Sequence, residues 1–264
     1  MTNQPPASAP AAGSGMPTPA GIYDFFLGGK HFSEADKQAA EQVMALAPEV
    51  RSEAIENRAF LQRAVRYVAG HGITQYVDMG SGFPTSGPVH EIAGESISAP
   101  HVLYVDYDPA VAELAQQLVH SPAVASVVHD VRRPWDIIDD PAAVRLIDWS
   151  KPVAVLMVGI LHFISDDEHP AEIIATFRDH MVRGSFLVLS HGSAGETPDS
   201  SDEAAQGWDN AKSMLTLRSP REIEDLLVGF ELVPPGLVTS TEWGTDRPPP
   251  TGQGVGLAAV GRVP

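Results

Sequence analysis

The sequence predicts an α/β fold with a mostly parallel sheet. Five short runs rich in β-branched residues alternate with stretches of helical spacing, and this alternation is typical of βαβ units. The runs are apolar almost throughout, as expected for strands that helices cover on both faces. The predicted strands are residues 75–79, 102–106, 125–130, 153–158 and 185–190, and the predicted helices between them are residues 89–97, 110–119, 142–147 and 168–181.

The two ends of the chain depart from this alternation. Residues 232–239 and 255–262 are β-like, and the connection between them is too short for a helical crossover, which predicts an antiparallel C-terminal hairpin. Residues 34–46 and 50–69 carry apolar side chains at helical spacing and predict an N-terminal helical extension, with Ser33 as an N-cap.

These signals predict three parts in the chain. Residues 1–20 form a disordered tail because they cannot bury apolar surface, residues 21–72 form a helical cap or lid, and residues 73–264 form the α/β domain. The cap and the α/β domain are expected to make one compact unit. The small, acidic segment at residues 192–206 is expected to be a mobile loop.

Composition and charge exclude several classes of function. The chain has 264 residues, of which 43% are hydrophobic, so it can form a substantial core. Its net charge of −17 disfavours nucleic acid as a partner, because phosphate groups would be repelled. The absence of cysteine excludes disulfides and thiolate chemistry, and His90-Glu91 lacks the second histidine of a zinc motif, so we expect no metal. We find neither a signal sequence nor a membrane-spanning run, and expect a cytoplasmic protein.

A glycine loop and three acids occupy matching positions along the predicted sheet. The first strand contains Asp78 and turns through Gly80 and Gly82, where glycine lets the backbone approach a ligand closely. Asp106 and Asp130 end the next two predicted strands, at the edge where parallel sheets bind ligands. An isolated acid at a strand end is more often a turn or cap residue. Three signals in register on successive strands favour a nucleoside pocket.

These residues resemble the motifs of class I S-adenosylmethionine-dependent methyltransferases. In particular, the chain resembles an actinobacterial S-adenosyl methyltransferase family formerly described as a domain of unknown function. The resemblance covers nearly everything after residue 20, and it implies a Rossmann-like class I methyltransferase fold with S-adenosylmethionine as the cofactor. Gly87 departs from the pattern, because the family is expected to carry a polar residue there. The resemblance is carried by IYDFFLGGK at 22–30, NRAFL at 57–61, GSGFPT at 80–85, YVDYDP at 104–109, LHF at 161–163, LSH at 189–191 and LRS at 217–219.

The resemblance also implies roles for individual residues. Asp78 is expected near the cofactor ammonium and Asp106 on the ribose hydroxyls. Arg58 is a further candidate, for the methionine carboxylate, although a surface ion pair is an equally good interpretation. The remaining expected cofactor contacts are Gly80, Ser81 and Gly82 along the methionine moiety, Tyr107 beside the adenine, and Asp130 and Val131 at the adenine edge.

Methyl transfer places modest chemical demands on the protein. The sulfonium is already activated, so the protein must mainly hold the acceptor in line and exclude water. A general base matters only for a hydroxyl or ammonium acceptor, and the candidates are His162, His191, His31 and Tyr23. Each histidine could equally be a hydrogen-bonded core residue. The aromatic segment at residues 23–32 either docks on the core or forms a lid.

The sequence therefore predicts a methyltransferase that acts on a small-molecule acceptor, with neither nucleic acid nor membrane as a partner. The oligomeric state and the methylated atom stay open. One alternative is a regulatory or sensing protein that binds S-adenosylmethionine without turnover. Another is a nicotinamide oxidoreductase, against which Asp78 and the missing third glycine of the loop count.

Overall fold

The computed structural model describes residues 15–193, 215–246 and 256–264, and its elements alternate as the sequence predicts. The helices are α1 (Pro19–Phe26), α2 (Glu34–Leu46), α3 (Val50–Gly70), α4 (Val89–Gly94), α5 (Pro109–Leu118), α6 (Pro134–Ile138), α7 (Pro141–Leu146), α8 (Pro170–His180) and α9 (Pro220–Leu226). The strands are β1 (Gln75–Met79), β2 (His101–Asp106), β3 (Val124–Val128), β4 (Ala154–Val158), β5 (Phe186–Gly192), β6 (Glu231–Leu232), β7 (Val238–Thr239) and β8 (Gly256–Arg262).

Eight strands of the described residues form one sheet in the order β3-β2-β1-β4-β5-β8-β6, with β7 also paired to β8. Strands β1 to β5 are parallel, and β8 runs antiparallel to β5 over its whole length. The predicted parallel sheet and antiparallel C-terminal strands are therefore confirmed. The chain order reverses between β1 and β4, and a crevice at such a point binds ligands in open α/β sheets.

The helices on the two faces of the sheet explain why the strands are apolar. Successive side chains of a strand point to opposite faces. On β2, Leu103 and Val105 join one hydrophobic cluster, whereas Val102 and Tyr104 join the cluster on the other face. Both faces of the parallel strands are therefore buried.

Two of the predicted runs differ clearly from the observed strands. Strand β3 ends at Val128, so Asp130 lies in the turn that follows it. The predicted run at residues 232–239 is two short strands, both antiparallel to β8. Pro234 and Pro235 lie between them and have no N–H to donate, which explains the interruption.

The differences among the helices follow from local signals. The helix expected at residues 168–181 begins only at Pro170, after a 3₁₀ turn at Asp166–Glu168, because proline favours the first helical position. The helix expected at residues 89–97 ends at Gly94. Helices α6 and α9 are too short for their periodicity to have indicated them.

The N-terminal helices are joined by a buried carboxylate. Asp36 Oδ1 accepts a hydrogen bond from the Thr18 N–H at 2.6 Å, and Oδ2 accepts one from the Ser33 N–H at 2.7 Å. Thr18 caps α1, which begins at Pro19, so the predicted tail boundary at residue 20 falls inside this helix. Most of the predicted tail and of the loop at 192–206 lies outside the described residues. No helix in the described part of the chain is long and apolar enough to span a membrane.

Candidate functional site

A cavity of about 680 Å³ opens at the carboxyl ends of β1, β2 and β4. Helix α1 closes one side of it, through Pro19, Ala20 and Tyr23. Of the predicted site residues, only His191 does not line the cavity. Those that line it are Tyr23, Arg58, Asp78, Gly80, Ser81, Gly82, Asp106, Tyr107, Asp130, Val131 and His162.

The glycine loop has a packed side and an open side. The N–H groups of Gly80 and Ser81 both donate to the Val105 carbonyl oxygen, at 2.8 and 3.1 Å. A Cβ on Gly80 would stand 2.5 Å from Ile160 Cδ1, whereas a Cβ on Gly82 would meet no atom within 4 Å. Both glycines have positive φ, which other residues adopt at a cost. The loop therefore packs against Ile160 and leaves space beside Gly82.

Asp106 is buried at the end of β2 and binds the backbone around it. Its Oδ2 accepts the Gly82 N–H at 2.9 Å and its Oδ1 accepts the Asp108 N–H at 3.0 Å. Burial raises the pKa of Asp106 to about 6, although these two N–H groups act in the opposite direction. A carboxylate oxygen can accept two hydrogen bonds. Asp106 therefore keeps acceptor capacity on both oxygens, which suits a pair of adjacent hydroxyls.

Asp78 and Arg58 are two buried groups of opposite charge. Asp78 is 4% exposed, and burial raises its pKa to about 7, with Arg58 opposing the rise and Asp106 adding to it. Arg58 is 9% exposed, and within the described residues its guanidinium makes neither a hydrogen bond nor an ion pair. Its Cζ atom lies 5.5 Å from the centroid of the Tyr23 ring. A buried guanidinium that makes no hydrogen bond to an anion is unfavourable, so this arrangement suits an anionic ligand group.

Asp130 lines the cavity but is engaged by Arg132, which the sequence reasoning missed. Its carboxylate accepts hydrogen bonds from the Arg132 N–H at 3.0 Å and from Arg132 Nε at 2.8 Å. The other end of the guanidinium binds Glu168 at 2.7 Å. Burial alone would raise the pKa of Asp130, but the hydrogen bonds from Arg132 leave it lowered. Asp130 therefore stays ionised at this end of the cavity.

The Tyr23 hydroxyl is committed to protein partners. It donates to the Ala54 carbonyl oxygen at 3.1 Å and accepts from Asn57 Nδ2 at 3.1 Å. Asn57 Oδ1 in turn accepts from Ser190 Oγ at 2.6 Å. Because its single proton is already donated, Tyr23 is poorly suited to act as a base or as a donor to an acceptor molecule.

Protein atoms occupy both ring nitrogens of His191, which the sequence predicts as a candidate base. It is 1% exposed and does not line the cavity. Its Nδ1 donates to the Gly192 carbonyl oxygen at 2.7 Å, and its Nε2 accepts from Arg218 Nη1 at 2.8 Å. Burial lowers the pKa of His191 to about 4. With both ring nitrogens occupied, it has no site left for a substrate proton.

His162 lines the cavity, as His129 does, and in the described part of the chain neither ring nitrogen of His162 has a hydrogen-bond partner. Its Nδ1 is fully buried. Burial lowers the pKa of His162 to about 3, and the neighbouring His191 and Arg218 lower it further. The imidazole is therefore neutral at physiological pH and able to accept one hydrogen bond and donate another.

Arg218 and Asn57 are two further residues to which the sequence reasoning gave no role. Arg218 is 3% exposed and binds the turn that carries His162, with Nη1 on the Leu161 carbonyl oxygen at 3.1 Å and Nη2 on that of Ile164 at 2.9 Å. Both residues fall inside segments that carry the family resemblance. That resemblance was the only signal that could have identified them.

The fold and the site together define a class of protein. A five-stranded parallel sheet extended by an antiparallel strand, with a glycine loop after β1 and an acid at the end of β2, is the class I methyltransferase fold. Residues 7–264 match the sequence profile of a family described as S-adenosyl methyltransferase. The chain therefore belongs to the S-adenosyl methyltransferase family, and it is an S-adenosylmethionine-dependent methyltransferase with S-adenosylmethionine as its cofactor.

Several solved structures are similar to this chain. A candidate methyltransferase from Thermobifida fusca YX is 36% identical, with a TM-score of 0.87 over 94% of this chain and 96% of that chain. A DUF574 family protein from Streptomyces avermitilis MA-4680 is 34% identical, with a TM-score of 0.86 over 94% of this chain and 98% of that chain. The plantazolicin methyltransferase BamL shares the fold alone, at 9% identity and a TM-score of 0.54 over 92% of this chain and 95% of that chain. No curated protein matches the sequence.

Proposed function

We propose that this methyltransferase acts on a small-molecule acceptor, which binds in the same cavity as the cofactor. The observation that carries this proposal is the continuity of the cavity. It extends from Asp106 and Asp130, past the glycine loop, to Gly159, His162 and Thr216. Its volume of about 680 Å³ falls within the usual range for small-molecule sites, about 300–1,000 Å³.

The residues around Arg58, Asp78 and Asp106 in the cavity fit S-adenosylmethionine. The unpartnered Arg58 guanidinium suits the methionine carboxylate, and the buried Asp78 carboxylate suits the ammonium. Asp106 keeps two acceptor sites for the ribose hydroxyls, and the open space beside Gly82 admits the ligand close to the backbone. Tyr107, Asp130 and Val131 line the part of the cavity that remains for the adenine.

When bound, the cofactor supplies a methyl group that its sulfonium has already activated. The residues of this chain then need to hold the acceptor in line and exclude water. His162 is the cavity residue best suited to bind the acceptor, because its neutral imidazole can accept a hydrogen bond from a hydroxyl or an amine. Its lowered pKa makes it a weak base, so we assign it to positioning the acceptor rather than to storing the proton.

We also propose that α1 is a lid over the cavity. It lines the cavity through Pro19, Ala20 and Tyr23. Asp24 on the same helix is buried, and its Oδ1 accepts a hydrogen bond from Thr85 Oγ1 at 2.9 Å, just beyond the glycine loop. This hydrogen bond connects the N-terminal helix to the loop that is expected to hold the cofactor. We therefore expect the hydrogen bond to break when the cofactor exchanges.

Calorimetry tests the cofactor assignment. We expect S-adenosylmethionine and S-adenosylhomocysteine to bind with micromolar affinity and NAD not to bind. Arg58→Met should weaken both by about 10- to 100-fold, the usual effect of removing a charged hydrogen-bonding group. Arg66→Gln is the matched control, because Arg66 lies on the same helix and pairs with Glu95 at the surface.

A screen of small-molecule acceptors then tests turnover, with mass spectrometry detecting the added methyl group. Absence of binding by either cofactor form would contradict the site assignment. Tight cofactor binding without any methylated product would return the sensing alternative to consideration.

A further inference from the structure

Tyr23 occupies a fixed position on one face of α3. Its hydroxyl is held by Ala54 and Asn57, and its ring faces the guanidinium of Arg58. Residues 54, 57 and 58 are three and four positions apart, so they lie side by side on a helix. The Tyr23 ring therefore cannot turn away from Arg58 without breaking both hydrogen bonds.

The helix that carries Tyr23 is itself anchored at several points. The Asp24 carboxylate accepts hydrogen bonds from Thr85 Oγ1 at 2.9 Å and from the His31 N–H at 2.8 Å. Arg51 Nε donates to the Phe26 carbonyl oxygen at 3.2 Å. These contacts hold the residues that directly follow Tyr23 in the chain, so the position of the ring is determined independently of any ligand.

The ring covers a guanidinium that makes no hydrogen bond in the described residues. The Arg58 Nε atom is buried and unpaired, and the Tyr23 centroid lies 5.5 Å from Cζ. An aromatic face attracts a guanidinium at this distance, most strongly where water is excluded. A guanidinium covered in this way also interacts more strongly with a bound carboxylate, because the local dielectric constant is low.

We propose that Tyr23 is a positioning residue for the cofactor: its ring orients Arg58 and shields the ion pair between Arg58 and the methionine carboxylate from water. This inference rests on the proposed assignment of Arg58 to that carboxylate. It gives Tyr23 a part in selecting ligands that carry a carboxylate, in place of the acid–base role that the sequence suggested.

A pair of ligands isolates this role. S-adenosylhomocysteine carries the carboxylate, whereas methylthioadenosine has the adenosine and thioether but lacks the amino-acid end. The measured quantity is the ligand ratio, defined as the dissociation constant of methylthioadenosine divided by that of S-adenosylhomocysteine. A general loosening of the fold would weaken both ligands together and leave this ratio unchanged.

Two variants that keep a six-membered aromatic ring, one of them unnatural, test the ring itself. Tyr23→Phe keeps the negative aromatic face, and replacement of Tyr23 by pentafluorophenylalanine reverses its charge distribution while keeping its shape. We expect the phenylalanine variant to keep the ligand ratio within about threefold of wild type, and the fluorinated variant to lower it by about tenfold. Added salt should also weaken the binding of S-adenosylhomocysteine more steeply in the fluorinated variant than in wild type.

Arg58→Met provides the second half of the test. In this background the fluorinated residue should change the ratio no further, because the cation that it acts on is gone. If Arg58→Met leaves the ratio unchanged, the carboxylate assignment fails and this inference fails with it. If Arg58→Met lowers the ratio but the fluorinated variant matches Tyr23→Phe, the role of Tyr23 alone is overturned. Both ring variants keep a six-membered aromatic ring, and circular dichroism checks that each of them folds.

Discussion

Replacing Asp78 with asparagine should remove a defined part of the pH dependence of the protein's stability. Burial raises the pKa of Asp78 from its ordinary value of 3.8 to about 7. A carboxyl group whose pKa is raised by folding binds its proton more tightly in the folded state. Its contribution to stability is therefore complete below the unfolded pKa and is lost as the pH rises through the folded pKa.

The size of the effect follows from the two pKa values. Between about pH 5 and about pH 8.5, a group with these pKa values should lower the free energy of unfolding by about 3 kcal/mol, to within a factor of two. Asp78→Asn cannot ionise, so this part of the decrease should disappear. The decrease that remains is expected from Glu53, whose pKa burial raises to about 7, and from Asp106, whose pKa is raised to about 6.

Urea denaturation at the two pH values measures this difference directly, since each free energy of unfolding follows from a linear extrapolation. Asp148→Asn is the control. Asp148 is exposed, and hydrogen bonds from Ser150 and Lys151 lower its pKa to about 2, below the range that is scanned. A decrease as large in Asp78→Asn as in wild type would refute the reasoning, because it would mean that Asp78 is ionised across the whole range.

Three further predictions concern the binding site and its support. Asp106→Ala should weaken S-adenosylhomocysteine by about 10- to 100-fold in calorimetry, and unchanged affinity in a folded variant would contradict the ribose assignment. Arg218→Met should lower the free energy of unfolding by about 3 kcal/mol in urea, because it leaves two buried carbonyl groups and His191 without their donor, and a loss below about 1 kcal/mol would argue against this network. Asp24→Asn should speed the dissociation of S-adenosylhomocysteine in stopped-flow measurements, since it weakens the contact with Thr85, and an unchanged rate would argue against a lid.

The sequence predicted the fold well because the signals for it are local. Strand β1 has the predicted bounds, and β2 and β4 each differ from the prediction by one residue at one end. Apolar runs, proline at helix starts and glycine at turns act over a few residues, so a single sequence reveals them. The glycine loop and Asp106 were found in the same way, because they sit at fixed offsets from strand ends.

The side-chain network around His162 could not be predicted from the sequence, because its contacts are not local. Arg218 binds residues that lie 27 to 57 positions away along the chain. Nothing in the local pattern distinguishes an arginine that will be buried from one that will be solvated. His191 illustrates the consequence. It lies at the end of an apolar strand, as a ligand-binding histidine would. However, its ring nitrogens bind Gly192 and Arg218, and the side chain is buried.

The same limitation explains why Tyr23 was assigned to acid–base chemistry. A tyrosine near a predicted lid suggests a reactive hydroxyl, and only the structure reveals that this hydroxyl already serves Ala54 and Asn57. What remains available is the aromatic face, which is directed at Arg58.

Burying Arg58 or Asp78 alone is energetically unfavourable, but together the two side chains complement the charges of an amino-acid group. Arg58 has no anionic hydrogen-bond partner in the described residues, and Asp78 is so desolvated that its pKa approaches neutrality. A ligand that brings a carboxylate and an ammonium on adjacent atoms would satisfy both groups together, whereas a ligand with only one of them would leave the other unpaired. Discrimination by an unpaired buried charge is strong, because its desolvation is not offset elsewhere. We therefore expect the amino-acid end of the cofactor, more than its adenine, to determine which nucleosides this cavity accepts.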